Sequence, residues 1–151
     1  MYSKQEAALI KKEFWTSLGM YLKPVLNANG QKINWVNYKT GIKHIYFRTD
    51  VTKKVATVAI ELTHPAAPDR LMALEKLVSL KPVFSEMVNG TWTWQETVYD
   101  ETGQPISRIV IQKEDVNIFD KNDWPAIISF LKQHLIALDA FWHMARDYFE
   151  D

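Results

Sequence analysis

The sequence predicts an α+β fold with a mainly antiparallel sheet. Apolar residues recur at helical spacing near both ends of the chain, short alternating or β-branched runs lie between them, and tight turns join these runs. The chain has 151 residues, of which 47% are hydrophobic and 24% charged, as is typical of a globular domain. We therefore expect a single α+β domain over residues 1–151.

The first half is predicted to hold one helix and a meander. The helix begins after Ser3, which can form a capping box with Glu6. It ends before Pro24, because proline disfavours helical geometry in the residue before it. Three strands joined by tight turns are predicted next, over residues 33–38, 42–48 and 54–62. The third run is apolar on both faces, which is typical of a central strand.

The middle of the chain changes period at Pro65, where a second helix is predicted to begin. Its inward side chains are predicted to be Leu71, Leu74, Leu77 and Val78. Pro82 either breaks this helix or begins a second short one. Further strands are predicted over residues 91–99 and 105–112, with an edge strand over residues 115–119.

The last predicted element is a long helix that begins after Asp123. Its apolar stripe runs to Phe149 and spans on the order of 35–40 Å at 1.5 Å per residue, which is more than a small sheet covers. An uncovered apolar patch is uncommon on a soluble monomer, so we expect a homodimer through this helix, with packing on the first helix as the alternative. The interface candidates are Leu131, Leu135, Leu138, Trp142 and Phe149.

Composition excludes several classes of protein. The sequence has no cysteine, which excludes a disulfide scaffold, a thiolate zinc site and a cysteine nucleophile. Lys plus Arg and Asp plus Glu both number 18, so no net charge attracts nucleic acid or an anionic membrane. The first 54 residues are nevertheless mainly basic and the last 57 mainly acidic. Neither a signal peptide nor a membrane-spanning run is visible, and we expect a cytoplasmic protein with no membrane partner.

Aromatic residues carry a resemblance to a known family. The chain resembles a bacterial domain of unknown function, number 4268, in Phe14-Trp15, in Trp35 through Phe47 with the turn Lys39-Thr40-Gly41, in Glu86 through Trp94, and in Trp124. The resemblance covers nearly the whole chain. It implies a domain that occurs alone or at the C-terminus of longer proteins, some with nuclease-like N-terminal parts. The family offers no established activity and no catalytic residues to carry over.

The order of elements is also remotely similar to a restriction-endonuclease-like core. That core needs a metal-binding acid on the second strand and a Glu-x-Lys pair on the third. Asp50 lies near the end of the second predicted strand, but Glu61 is followed two residues later by Thr63 instead of lysine. The sequence therefore predicts no catalytic residue, no metal and no cofactor.

Candidate ligand-binding residues lie on the predicted strands. Those of the second and third strands are His44, Tyr46, Arg48, Glu61 and His64. If the two strand faces coincide, these residues form a polar surface able to bind a carboxylate, a phosphate or a base, and an ordinary solvated sheet face is the alternative. Trp92 and Trp94 also share a strand face, where their rings either stack on a ligand or are covered by a helix.

Two function classes remain open from the sequence. The first is a non-enzymatic binding or protein-interaction module whose protein partner is unknown. The second is a nucleic-acid-processing accessory domain with a degenerate nuclease-like core, which requires the lysines and arginines of the first half to form one exposed patch. We expect at most weak, non-specific binding to nucleic acid, because the net charge is zero.

Overall fold

The computed structural model describes residues 2–150, which form four α-helices and a four-stranded sheet. In chain order the elements are α1 Lys4–Leu22, β1 Ile45–Val51, β2 Val55–Leu62, α2 Ala67–Ser79, α3 Lys81–Met87, β3 Thr93–Tyr99, β4 Pro105–Glu114 and α4 Trp124–Ala145. The strands lie in the order β1-β2-β4-β3, and every neighbouring pair is antiparallel. The predicted α+β class with an antiparallel sheet is confirmed.

Local signals set the starts of α1 and α3 as predicted, whereas Asp123 precedes α4 without a side-chain cap, because its carboxylate accepts from the Asn117 amide. The hydroxyl of Ser3 accepts a hydrogen bond from the amide of Glu6, and the Glu6 carboxylate accepts one from the Ser3 amide. These bonds hold the pKa of Glu6 below its usual value. Pro82 lies in the first turn of α3, where its missing N–H removes no helical bond. It therefore begins a second short helix, which is one of the two predicted alternatives.

The helices pack on one face of the sheet. Along β1, Ile45 and Phe47 are buried in the core, whereas Tyr46 and Arg48 point to the opposite face. The core strand residues of β2 alternate in the same way. Because side chains alternate along a strand, the sheet keeps a second face on which no helix packs within residues 2–150. We call this second face the open face.

Two predicted strands are absent from the described residues. Residues 33–38 form a loop with a turn at Val36 and Asn37, and the indole N–H of Trp35 donates to the carbonyl of Val25 at 2.9 Å. Residues 115–119 are also a loop, although the amide of Ile118 donates to the carbonyl of Thr52. The predicted three-strand meander is therefore a two-strand hairpin. The similarity to a restriction-endonuclease core is not shown, because Asp50 and Glu61 lie on the first and second strands of an entirely antiparallel sheet.

The final helix is shorter than predicted and more deeply buried. α4 ends at Ala145, and Phe149 lies in a short 3₁₀ turn after it, so the helix is about 33 Å long at 1.5 Å per residue. The five interface candidates are at most 8% exposed: Leu131, Leu135, Leu138, Trp142 and Phe149. The prediction of an exposed seam on this helix is wrong, because the sheet and the other helices cover the stripe within one chain.

The inward face of α2 also differs from the prediction. Leu74 and Leu77 are buried, but Val78 is half exposed because it lies beside the inward stripe on the solvent side. Arg70 takes an inward position instead, and its Nη1 donates to the carbonyl of His64 at 3.2 Å. A charged side chain that reaches a backbone carbonyl cannot be recognised from apolar spacing alone.

Candidate functional site

The open face brings together three of the predicted ligand-binding residues. The guanidinium of Arg48 lies 4.3 Å from the ring centre of Tyr46, and its Nε lies 3.6 Å from a carboxylate oxygen of Glu61. Glu61 also pairs with Arg108 of β4 in the strand register. These side chains of β1 and β2 therefore lie on the same face of the sheet, which is one of the two alternatives that the sequence left open.

The ion pair of the open face is that between Arg48 and Glu61. Burial raises the pKa of Glu61, and the charges of Arg48 and Arg108 only partly oppose this. The Nε of Arg108 donates to the side-chain oxygen of Gln95 at 3.3 Å. Beneath these side chains, Ala59 and Val110 form a small buried floor outside the main core. This surface matches a solvated sheet face whose long side chains shield its apolar floor.

His44 and His64 lie away from the open face, at the strand ends. His44 precedes β1 with a φ of 69°, a conformation that is uncommon outside glycine. Its ring centre is 5.3 Å from that of His64. Burial, followed by the proximity of His44, lowers the pKa of His64. Within residues 2–150 no three His, Asp or Glu side chains are grouped so as to hold a metal ion.

Trp92 and Trp94 lie on the helix-covered side of the sheet. Both rings meet Phe84 of α3 edge-on, with ring centres 5.3 and 5.6 Å apart. The ammonium group of Lys81 lies 5.0 Å from the Trp94 ring centre. The two rings are therefore covered by a helix, which is one of the two predicted alternatives.

A polar cleft lies between the loop 23–44 and the C-terminal half of α4. This site, the loop–α4 cleft, has a volume of about 560 Å³, within the range of about 300–1,000 Å³ that is typical of ligand pockets. Its loop wall includes Asn29, Gln31 and Asn37, and its helix wall includes His143 and Arg146. Loops longer than about 12–15 residues without secondary structure of their own are uncommon unless functional or disordered, and this one is ordered by specific bonds.

A buried carboxylate joins the two walls of the cleft. Asp139 of α4 is 1% exposed. Its carboxylate accepts hydrogen bonds from the Tyr38 hydroxyl at 2.5 Å and from the Ala28 amide at 2.7 Å. Burial and the neighbouring Asp139 charge raise the pKa of Tyr38 well above its ordinary value. In addition, the indole N–H of Trp142 donates to the carbonyl of Thr40 at 2.7 Å.

His143 and Arg146 present polar groups to the cleft. Nδ1 of His143 lies 2.9 Å from the carbonyl oxygen of Asp139 and 3.2 Å from its carboxylate. Because both oxygens are acceptors, Nδ1 carries a hydrogen and donates it. Nε2 is the ring nitrogen that these two contacts do not use. The Nε of Arg146 donates to Glu150 at 3.2 Å, and its Nη1 lies over Gly41, where a Cβ would come within 3.3 Å. Gly41 therefore leaves room for this guanidinium.

Sequence reasoning missed the loop–α4 cleft because it assigned residues 33–38 to a strand. Two signals were present. Four asparagines fall within residues 27–37, and asparagine is a residue of turns, not of strands. Asp139 also interrupts the apolar stripe of the last helix between Leu138 and Trp142, and a buried acid requires donors from elsewhere in the fold.

A model of the family described as "Domain of unknown function (DUF4268)" matches residues 10–146. The chain belongs to this family. The matched segment contains both walls of the loop–α4 cleft, including Tyr38, Asp139 and Arg146, and it confirms the resemblance seen in the sequence. No curated protein and no solved structure matches the chain. None of the helices within residues 2–150 combines the length and apolar character that a membrane crossing needs.

Proposed function

We propose that this chain is a non-enzymatic binding module of the bacterial cytoplasm whose ligand occupies the loop–α4 cleft. The observation that carries the proposal is the Asp139 carboxylate, which holds a long ordered loop against α4 through Tyr38 and Ala28. Burying a carboxylate is costly unless donors satisfy it. A loop tied down in this way keeps its outward amide groups in fixed positions, which is the preorganisation that favours binding.

The alternative proposal, a nucleic-acid-processing accessory domain, needs a continuous basic patch. Lys43 precedes β1 and Lys53 follows it, so about seven residues of strand at roughly 3.3 Å each separate them, or about 23 Å. Arg48, which lies between them, is engaged with Glu61. Lys53 and Lys54 line a groove that also contains Glu114. This spacing and these neighbouring acids favour the binding module, and a gel shift that persists at 200 mM salt would favour the alternative.

The proposed homodimer needs a surface other than the apolar stripe of α4. That stripe lies in the core of one chain, so a second copy has no access to it without unfolding. We therefore propose a homodimer only through a surface that is exposed in the single chain. Light scattering at micromolar concentration measures the mass directly, independently of the ligand.

A fragment screen followed by ¹H–¹⁵N NMR tests the binding proposal. The indole N–H of Trp142 reports on the loop–α4 cleft, whereas those of Trp92 and Trp94 report on the far side of α3. We expect small polar fragments to shift the Trp142 signal and the amide signals of residues 27–40. Shifts confined to the open face, or no shifts at all, would contradict the proposal.

A matched pair of variants sharpens this screen. Asn29 is exposed in the wall of the cleft, and Asn122 is exposed outside it. Asn29→Tyr places a ring in the cleft and is expected to abolish the shifts. Asn122→Tyr adds the same ring elsewhere and is expected to leave them unchanged.

A further inference from the structure

The charged side chains that line the loop–α4 cleft are of both signs, since Lys39 and Arg146 are basic and Asp147 is acidic. Arg146 is engaged with Glu150 at 3.2 Å, and His143 with Asp139 at the same distance. The C-terminus of α4, which carries partial negative charge, also lies at this cleft. It reduces the positive potential of the basic side chains there. The site therefore has little net field with which to attract a charged ligand.

The side-chain amides on the loop wall are neutral and have no partner among residues 2–150. Asn29, Gln31 and Asn37 are exposed, line the cleft and make no side-chain hydrogen bond within the described chain. By contrast, Asn27 and Asn34 use their side-chain oxygens to accept backbone amides of the loop. Two asparagines thus shape the loop, and three amide groups face the cleft.

We propose that the ligand of the loop–α4 cleft is a neutral, hydroxyl-rich ring, a deduction that rests on the proposed function. An amide side chain offers two donors and an acceptor, and a hydroxyl offers one donor and two lone pairs. Several amides on one wall therefore match adjacent hydroxyl groups, which require donors and acceptors side by side. His143, on the opposite wall, adds a ring nitrogen that can form a hydrogen bond with such a hydroxyl. A sugar and the ribose of a nucleoside share this chemistry.

NMR titration of the full chain distinguishes the two sources. The probes are glucose, uridine and inorganic phosphate, each at 50 and 300 mM salt. We expect glucose or uridine to shift the side-chain amide signals of Asn29, Gln31 and Asn37, with an affinity that does not change with salt, because a neutral ligand releases no counterions. Shifts with glucose alone identify a sugar ligand, and shifts with uridine alone identify a nucleoside.

Asn37→Ala removes one amide from an exposed position, so folding is not at risk, and it is expected to weaken binding by about three- to tenfold. Asn122→Ala, outside the cleft, is the matched control and is expected to bind as the unaltered chain does. Salt-sensitive binding of phosphate to the same signals would overturn the neutral-ligand inference. Fragments that shift the cleft signals when neither glucose nor uridine does would overturn it while leaving the proposed function standing.

Discussion

The hydroxyl of Tyr38 donates a 2.5 Å hydrogen bond to the carboxylate of Asp139, which lies 101 residues further along the chain. Both residues are buried, Asp139 almost completely. This hydrogen bond connects the loop 23–44 to α4. It thereby sets the distance between the two walls of the cleft.

Removing the Tyr38 hydroxyl tests the strength of this link. We expect Tyr38→Phe to lower the free energy of unfolding by about 1.5–3 kcal/mol, because the buried carboxylate loses one of its donors. Urea unfolding followed by circular dichroism measures the change. Tyr148→Phe is the control, since Tyr148 is 59% exposed, and it is expected to unfold as the unaltered chain does. Equal losses in both variants would show that the Tyr38 bond does not hold the loop.

Local patterns were sufficient to predict the helices and most of the sheet. The Ser3–Glu6 capping box and the hairpin loop between β3 and β4 involve residues close in sequence, and both are present. Such patterns could not predict how the α4 stripe is buried. Apolar spacing indicates that a helix face is covered, but it does not indicate which element covers it. Within residues 2–150 the sheet, α1 and α3 cover it.

The candidate site was predicted only in part for a related reason. Tyr46, Arg48 and Glu61 meet because strands with alternating side chains pair in register, and alternation is visible in a sequence. The loop–α4 cleft depends on Asp139 meeting Ala28 and Tyr38, which are separated from it by more than 100 residues. No local periodicity specifies such a contact.

Gly90 provides a test of the junction between α3 and β3. Its φ is 107°, and an added Cβ would lie 2.3 Å from Cδ1 of the buried Ile111. We expect Gly90→Ala to destabilise the fold by about 2–4 kcal/mol, from backbone strain together with overpacking. Gly103→Ala is the control: Gly103 has a φ of 83° but no atom within 4 Å of the added Cβ, so it is expected to cost about 1–2 kcal/mol. Equal melting temperatures for the two variants would exclude the steric contribution of Ile111.

The lowered pKa of His64 predicts a dependence of stability on pH. Burial and the neighbouring His44 disfavour its charged form, Arg70 adds to this, and Asp69 opposes it. The unfolded chain, with an ordinary pKa of about 6.5, therefore takes up a proton before the folded chain does. We expect the free energy of unfolding to fall as the pH drops below about 6.5 and to level off below the folded pKa.

His64→Gln is expected to remove this part of the pH dependence, so that the unaltered chain loses stability relative to the variant between neutral pH and the folded pKa. Denaturant unfolding at several pH values measures the difference. The imidazole signals of His64 in an NMR titration give the folded pKa directly. A midpoint at or above 6.5 would contradict the prediction.

The last prediction concerns Trp142. A substitution at this residue distinguishes burial of the α4 stripe in the core of one chain from burial in a dimer interface. Its ring is 2% exposed, packs against Phe47 and Phe149, and donates its indole N–H to the carbonyl of Thr40. We expect Trp142→Glu to destabilise the chain by about 4 kcal/mol or more, since it buries an unpaired charge and leaves the Thr40 carbonyl without its donor. Circular dichroism and light scattering should therefore show a largely unfolded chain. Tyr148→Glu, at an exposed position of the following turn, is expected to remain folded. If instead the unaltered protein is a dimer and Trp142→Glu is a folded monomer, the ring lies in a subunit interface and the placement of α4 described above is wrong.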